Sequence, residues 1–238
     1  MTKNSHCPIP DCESCDTREN SVFVTLVAPE LQNVTESKGC RSYAKGEMIF
    51  YVDQSPSGLF CVHRGNIKLY KVGKDGREQI IRLARPGDII GYRAMISGER
   101  YSSFAVPLDD AQLCHIPKSL FFSLLSSNYN LSASVMTLLS TELKAAEEKV
   151  VEMAQKPVRE RLAETLLLLK EAYGVEKDGH TLSMKLTRIE IANIVGTATE
   201  SVSRLLSKLK EDGIIDMQGR RLKIMDHDRL VEEANIDD

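Results

Sequence analysis

The sequence predicts an α+β protein: a sandwich of short strands in the first half, a long helix through the middle, and a compact helical unit closed by a β-hairpin at the end. Three observations carry this. Between Tyr43 and Pro117 short apolar segments alternate with glycine-bearing turns, the texture of a many-stranded sandwich or jelly roll. From Tyr129 to Lys156 apolar residues recur every three or four positions, and no Gly or Pro interrupts them before Pro157. After Leu186, two helix-start signals, a glycine between them and a polar turn between two apolar runs describe two short helices and a hairpin.

Composition bounds the function. A chain of 238 residues, 42% hydrophobic, can bury one or two real cores. Its net charge of −3 is not that of a protein coating nucleic acid along its whole length, although positive charge can be local. There is no long apolar run and no basic-then-apolar N-terminal signal, so no membrane span is expected and the chain should be cytosolic. Six cysteines in that setting point to thiols or metal ligands rather than a disulfide framework. The five histidines fall in no metal-protease or hydrolase spacing, and no nucleophile–base–orienter set stands out, so an enzyme is not expected.

Residues 1–20 form a polar leader, HCPIPDCESC at its centre, with the spacing Cys7-x4-Cys12-x2-Cys15. Thiolates this close can converge on one metal centre; a small zinc site or incidental thiols in a flexible tail are the plainer alternatives. Val22 to Val34 reads as a short amphipathic helix. Within a sandwich domain spanning 21–127, the expected strands are Met48–Tyr51, Leu59–Val62, Ile67–Tyr70, Ile80–Leu83, Ile89–Ile90 and Ala111–Ile116. Cys61, in mid-strand, reads as a packed core thiol.

Over 128–155 the long helix carries Val135, Leu139, Glu142 or Leu143, Ala146, Val150 and Met153 at near-heptad spacing, which suits either a core stripe or a pairing seam. Pro157 to Tyr173 should be a further helix burying Leu162, Leu166 and Leu169, with a loop at Gly174–Gly179. In the last unit, 156–238, Thr187 and Glu190 form a capping box, and Gly196 stops the helix that follows. Thr197 and Glu200 repeat the start signal for a helix from Thr199 to Lys210. Its apolar face is Val202, Leu205, Leu206 and Leu209, and its polar face Glu200, Ser203, Arg204, Ser207 and Lys208. Runs Ile214–Met217 and Leu222–Met225 flank a basic tip, Gln218-Gly219-Arg220-Arg221. The unit resembles a winged helix-turn-helix, whose second helix would enter the major groove. Two capped helices and a hairpin also occur in domains that never touch DNA.

The run T-E-S-V-S-R-L-L, Thr199 to Leu206, resembles the recognition helix of the Crp/Fnr transcription regulators. So do K-G-E-x-I-F, G-x-I-K-x-Y and P-G-D-I-I-G in the sandwich, which match the cyclic-nucleotide-binding-type β-roll of that family. The resemblance covers nearly the whole chain. Members that bind cAMP carry G-E-L followed by R-S or R-T; here Gly91-Tyr92-Arg93 and Tyr101-Ser102-Ser103 stand instead, and cAMP is not expected. The segment G-D-I-I-G-Y-x-A, with S-F-A and Leu113-Cys114-His115-Ile116-Pro117, resembles the Fnr-like iron–sulfur oxygen sensors.

That resemblance implies an iron–sulfur cluster held by Cys7, Cys12, Cys15 and Cys114, with [4Fe–4S] preferred over [2Fe–2S]. The leader departs from the C-x2-C-x5-C of the enteric sensors and matches the start of the plant-type ferredoxin pattern, so nuclearity stays open. Cys40 is a rival fourth ligand, and His6 and His115 are possible substitutes. The resemblance also implies a homodimer paired through the long helix, double-stranded DNA and RNA polymerase as partners, and TTGAT-like half-sites in an inverted repeat. Base reading would fall to Thr199, Glu200, Ser203 and Arg204, and phosphate contact to Arg188, Lys208, Arg220 and Arg221. Glu142, Glu147, Glu148 and Glu152 would keep the dimer marginal, or simply form a solvated face. Two alternatives remain: the same architecture answering a nucleotide, haem, nitric oxide or thiol oxidation, and a regulatory subunit that does not bind DNA.

Overall fold

The computed structural model describes residues 10–235. Their contacts divide them into two compact units, one ending at Lys71 and resuming over Ile81–Leu143, the other comprising Val72–Ile80 and the residues from Lys144 onward. The division falls inside the long helix, between Leu143 and Lys144.

In the first unit two 3-10 turns, Arg18–Asn20 and Val22–Thr25, precede α1 (Ala28–Ser37). The single helix expected over Val22–Val34 is broken because Leu26 and Val27 are extended. Pro29 then occupies the first turn of α1, where its missing N–H costs nothing. The strands are β1 (Gly39–Tyr43), β2 (Gly58–Arg64), β3 (Ile67–Val72), β4 (Glu78–Ala84) and β5 (Ile89–Ile90). After a short helix α2 (Tyr92–Ser97) come β6 (Phe104–Pro107) and β7 (Ala111–Pro117). The segment Met48–Tyr51 joins the sheets only through one bridge, Phe50 to Ala105, so the expected strand there does not form. Two sheets result, ordered β1-β7-β2-β5 and β4-β3-β6.

The four-stranded sheet is buried on both faces, and alternation sorts its side chains. Val62, Ala111, Leu113 and Ile90 enter the sandwich core with Ile67, Leu69 and Ala105. Leu59, Ile89 and Ile116 face the other way, into a second core with Phe23, Leu31 and Val34; Cys12 and Cys61 pack against it. That second core is roofed by α1, by α3 (Lys118–Ser127) and by the start of α4 (Tyr129–Gln155), through Phe121, Leu131 and Val135. The Asn128 side chain accepts from Leu131 N at 3.0 Å and donates to Glu30, fixing the start of α4 to α1.

In the second unit, α5 (Val158–Tyr173) buries Leu162, Leu166 and Leu169 and packs against α6 (Arg188–Val195) and α8 (His227–Ala234); α7 (Thr199–Glu211) packs on α6 and on the hairpin of β8 (Ile215–Gln218) and β9 (Arg221–Ile224). The capping box forms as expected: Thr187 Oγ1 accepts from Glu190 N at 3.1 Å, and Glu190 Oε2 accepts from Thr187 N at 2.6 Å. Gly196 ends α6 at φ +74°, a left-handed conformation in which a side chain would also strike Met153. Buried Arg161 donates to the carbonyls of Val195 and Lys156, holding the end of α6 against α5. Thr187→Ala is expected to cost about 0.5–2 kcal/mol of stability. Denaturant unfolding reads this directly, and unchanged stability would show that the cap is dispensable.

Candidate metal centre and nucleic-acid interface

The pairing of β7 with its two neighbours aligns three cysteines. Cys114 lies opposite Cys40 on one side and opposite Cys61 on the other. Register partners share a face, so these side chains form one row on the sheet face that the leader covers. The leader is tied there by its own polar groups: Cys12 N donates to Thr35 Oγ1 at 3.0 Å, and Thr35 Oγ1 donates to Asp11 at 3.3 Å. At Gly87, a Cβ would collide with Asn20 and with the Thr17 carbonyl, so only glycine lets the leader lie this close.

The free thiols among the described residues are Cys12, Cys15, Cys61 and Cys114. All four line one cavity of about 40 Å³, together with Ser21, Lys38 and His63. Burial pushes the Cys61 thiol up to about 12, with Cys114, Cys15 and Cys12 adding to the effect. Burial likewise lifts Cys114 to about 11, against the pull of Lys38. Both are therefore protonated at neutral pH unless a metal displaces the proton.

Lys38 is only 5% exposed, and its ammonium lies 2.8 Å from Cys12 Sγ. No carboxylate among the described residues pairs with it. The cavity wall thus offers a buried nitrogen donor to the thiols. His63 Nδ1 lies 3.7 Å from Cys15 Sγ, and burial lowers its pKa against the opposing Asp16. Cys15, Asp16 and His63 are the one set of three potential ligands among the described residues whose donor atoms lie within 4.8 Å of one another. No three of the four sulfurs are that close. Four free thiols facing one cavity beside a buried amine are the ligand type that an iron–sulfur cluster would use. The donor set and the buried cation thus fit a thiolate-bound cluster.

The sequence placed Cys12, Cys15 and Cys114 at this site and left Cys61 in the core; the structure brings Cys61 to the cavity. Cys7 and His6 lie outside the described residues. His115 points to the opposite face of β7, its Nε2 3.1 Å from Ser57 Oγ and its ring against Phe60, away from the thiols. Lys38 and His63 carried no sequence signal, although alternation along Leu59-Phe60-Cys61-Val62-His63 places His63 on the face of Cys61. Of the two arginines near the nucleotide-type motif, Arg100 donates to the Asp53 carbonyl at 2.7 Å and Arg93 lies 3.7 Å from Glu142.

On α4, Met136, Leu143 and Val150 stand seven residues apart and are 57%, 61% and 69% exposed, with Ala146 and Met153 also exposed beside them. Val135 and Leu139 turn instead toward the second core. Glu142 leaves the stripe for an ion pair with Arg82 at 2.7 Å, both side chains only 15% exposed. Glu148 and Glu152 pair with Lys144 and Lys149 along the helix itself.

On α7, Glu200, Arg204 and Lys208 form an exposed line at i, i+4, i+8, with Thr199 and Ser203 half-buried beside it. The second capping box does not form: Ala198 is the N-cap and no side chain caps this end. The Glu200 carboxylate is therefore not committed to Thr197. If the carboxylate reads a base, Glu200→Gln should leave the melting temperature unchanged while reducing sequence discrimination; a loss of stability instead would mean that it serves the helix end. Arg188, Arg204, Lys208 and Arg220 are exposed and form no ion pair among the described residues. Arg221 pairs with Glu176, and Lys223 with Asp178 at 3.2 Å, which anchors the hairpin to the preceding loop.

Comparison with known proteins agrees with both halves. The cyclic nucleotide-binding domain model matches residues 40–128 and the Crp-like helix-turn-helix domain model residues 160–233. Electron transport regulator A of Shewanella oneidensis is 30% identical over 223 residues, covering 92% of this chain and 88% of that protein. The fumarate and nitrate reduction regulatory protein of Escherichia coli is 28% identical over 227 residues, 94% of this chain and 90% of its own length. Among solved structures, FixK2 from Bradyrhizobium japonicum superposes with a TM-score of 0.76 at 25% identity, covering 84% of this chain and 99% of that one. These relatives are regulators rather than enzymes, and the chain belongs to the Crp/Fnr family of DNA-binding transcription regulators, within its Fnr-like group.

Proposed function

We propose that this chain is an oxygen- or redox-responsive transcription regulator. Its iron–sulfur cluster, [4Fe–4S] in preference to [2Fe–2S], is bound by Cys12, Cys15, Cys114 and a fourth thiol, which the sequence assigns to Cys7. The observation that carries the reading is the convergence of leader thiols and sheet thiols on one cavity beside a buried lysine. When bound, the cluster supplies an oxygen-labile cross-link between leader and sheet. The leader is attached by side-chain hydrogen bonds rather than strand pairing, so it is the wall that gives way to make room for a cluster and lifts away when the cross-link is lost.

The remaining steps belong to the protein. The exposed stripe of Met136, Leu143, Val150 and Met153 pairs with the same stripe of a second copy. Two copies of α7 then address half-sites about one DNA turn, ~34 Å, apart. Arg204 and Glu200 read bases of a TTGAT-like inverted repeat, and Arg188, Lys208 and Arg220 hold phosphates, with Arg221 joining them from its place beside Glu176. RNA polymerase is the partner on which the bound dimer acts. With Arg100 and Arg93 engaged within the protein, a cyclic nucleotide has little claim on the β-roll.

Fluorescence anisotropy with a labelled duplex carrying the inverted repeat tests this. Anoxic, cluster-loaded protein should bind at least about tenfold more tightly than the same sample after air, a difference of ~1.4 kcal/mol. Equal binding would contradict the gating, and no binding in either state would contradict the DNA reading.

A further inference from the structure

Five of the six cysteines fall among the described residues, and the four free thiols of that set face one cavity. Two of the four come from the leader and two from the sheet. The sheet pair is fixed by the fold itself: Cys61 on β2 and Cys114 on β7 are register partners in mid-ladder, flanked by Phe60–His115 and Val62–Leu113. Their Cβ atoms therefore stand side by side on one face whatever the leader does. Cys40 belongs to the same row on the far side of Cys114, but it is disulfide-bonded rather than the free rival ligand expected from the sequence, and it does not line the cavity.

We propose that Cys61 is the fourth cluster ligand, completing the set with Cys12, Cys15 and Cys114. This rests on the cluster reading above and changes its ligand set by replacing Cys7. A thiol held in mid-strand loses little conformational freedom on ligation, so Cys61 is a well preorganised donor. Lys38 lines the same cavity and donates to Cys12 Sγ at 2.8 Å, so a thiolate-bound group held there by Cys61 would meet a donor already in place. The arrangement is a clamp, with two corners on the rigid sheet and two on the leader. Loss of the cluster then frees Cys12 and Cys15, while Cys61 and Cys114 keep their places.

The test is anoxic reconstitution of the full chain with ferrous iron and sulfide, followed by metal and sulfide assay and absorption spectroscopy. Wild type, Cys61→Ser, Cys61→Ala, Cys7→Ser and Cys40→Ser are compared, with circular dichroism and melting to confirm folding. Both Cys61 variants should lose most of their iron and sulfide, whereas Cys7→Ser and Cys40→Ser should keep the wild-type content and spectrum. A folded Cys61 variant that matches wild type overturns the proposal alone, as does loss of the cluster in a folded Cys7→Ser. Should both Cys61 variants fail to fold, retention in Cys7→Ser and Cys40→Ser still leaves Cys61 as the one cysteine able to supply the fourth corner. Wild type that takes up neither iron nor sulfide overturns the cluster reading itself, a different result from either.

Discussion

Replacing Arg204 by alanine is expected to weaken binding to the TTGAT inverted repeat by about 2–6 kcal/mol, since each well-placed base contact is worth about 1–3 kcal/mol and the dimer makes it twice. That corresponds to a loss of between roughly thirtyfold and twenty-five-thousandfold. The loss should be greatest on the correct sequence and small on random DNA, because Arg204 is exposed, forms no ion pair among the described residues and sits in the middle of the polar line of α7. Lys208→Ala, one turn further on, should instead weaken both duplexes by similar factors and flatten the salt dependence by about one unit of slope per contact. Titrations at several salt concentrations on specific and random duplexes separate these outcomes. An Arg204 variant that loses both equally would reduce that residue to a phosphate contact.

Leu143→Glu should abolish the dimer over the concentration range in which wild type is paired. Leu143 is 61% exposed and has Met136 and Val150 a heptad to either side, so its surroundings are apolar but uncovered. In a symmetric helix pair the new carboxylate would meet its own copy, and two like charges out of water cost several kcal/mol. The dissociation constant should therefore rise at least about a hundredfold, and DNA affinity should fall with it. Analytical ultracentrifugation reads the first effect and anisotropy the second. Because Leu143 adds nothing to the core of either unit, the melting temperature of the separate chains should hardly move. Unchanged pairing would place the interface on another surface.

Much of this was legible in residue order, and what was not has physical reasons. The capping box at Thr187–Glu190, the stop at Gly196 and the helix end at Pro157 depend on neighbours within a few positions, and each formed where the sequence placed it. Thr197 offered the same signal and lost to Ala198, because the chain leaving Gly196 enters α7 one residue later than the motif implied. Met48–Tyr51 has a strand's composition, yet strands need partners, and only Phe50 found one. The metal centre divides in the same way. Clustering marks Cys12 and Cys15, but the place of Cys61 depends on the β2–β7 register, a pairing between segments about fifty residues apart that alternation alone does not set. Glu142 has the spacing of the exposed stripe and leaves it only because Arg82, on a distant strand, supplies a partly buried counter-charge.

The most direct measurement is the visible absorption spectrum of the protein isolated without oxygen, with iron, sulfide and zinc assayed on the same sample, before and after air. The account predicts a broad visible band that fades in air, with about four irons and as many sulfides per chain at the outset. It also predicts that affinity for the inverted repeat falls as the band does. A colourless protein without iron, or one carrying a single zinc per chain, that binds the duplex equally well in both states would contradict it.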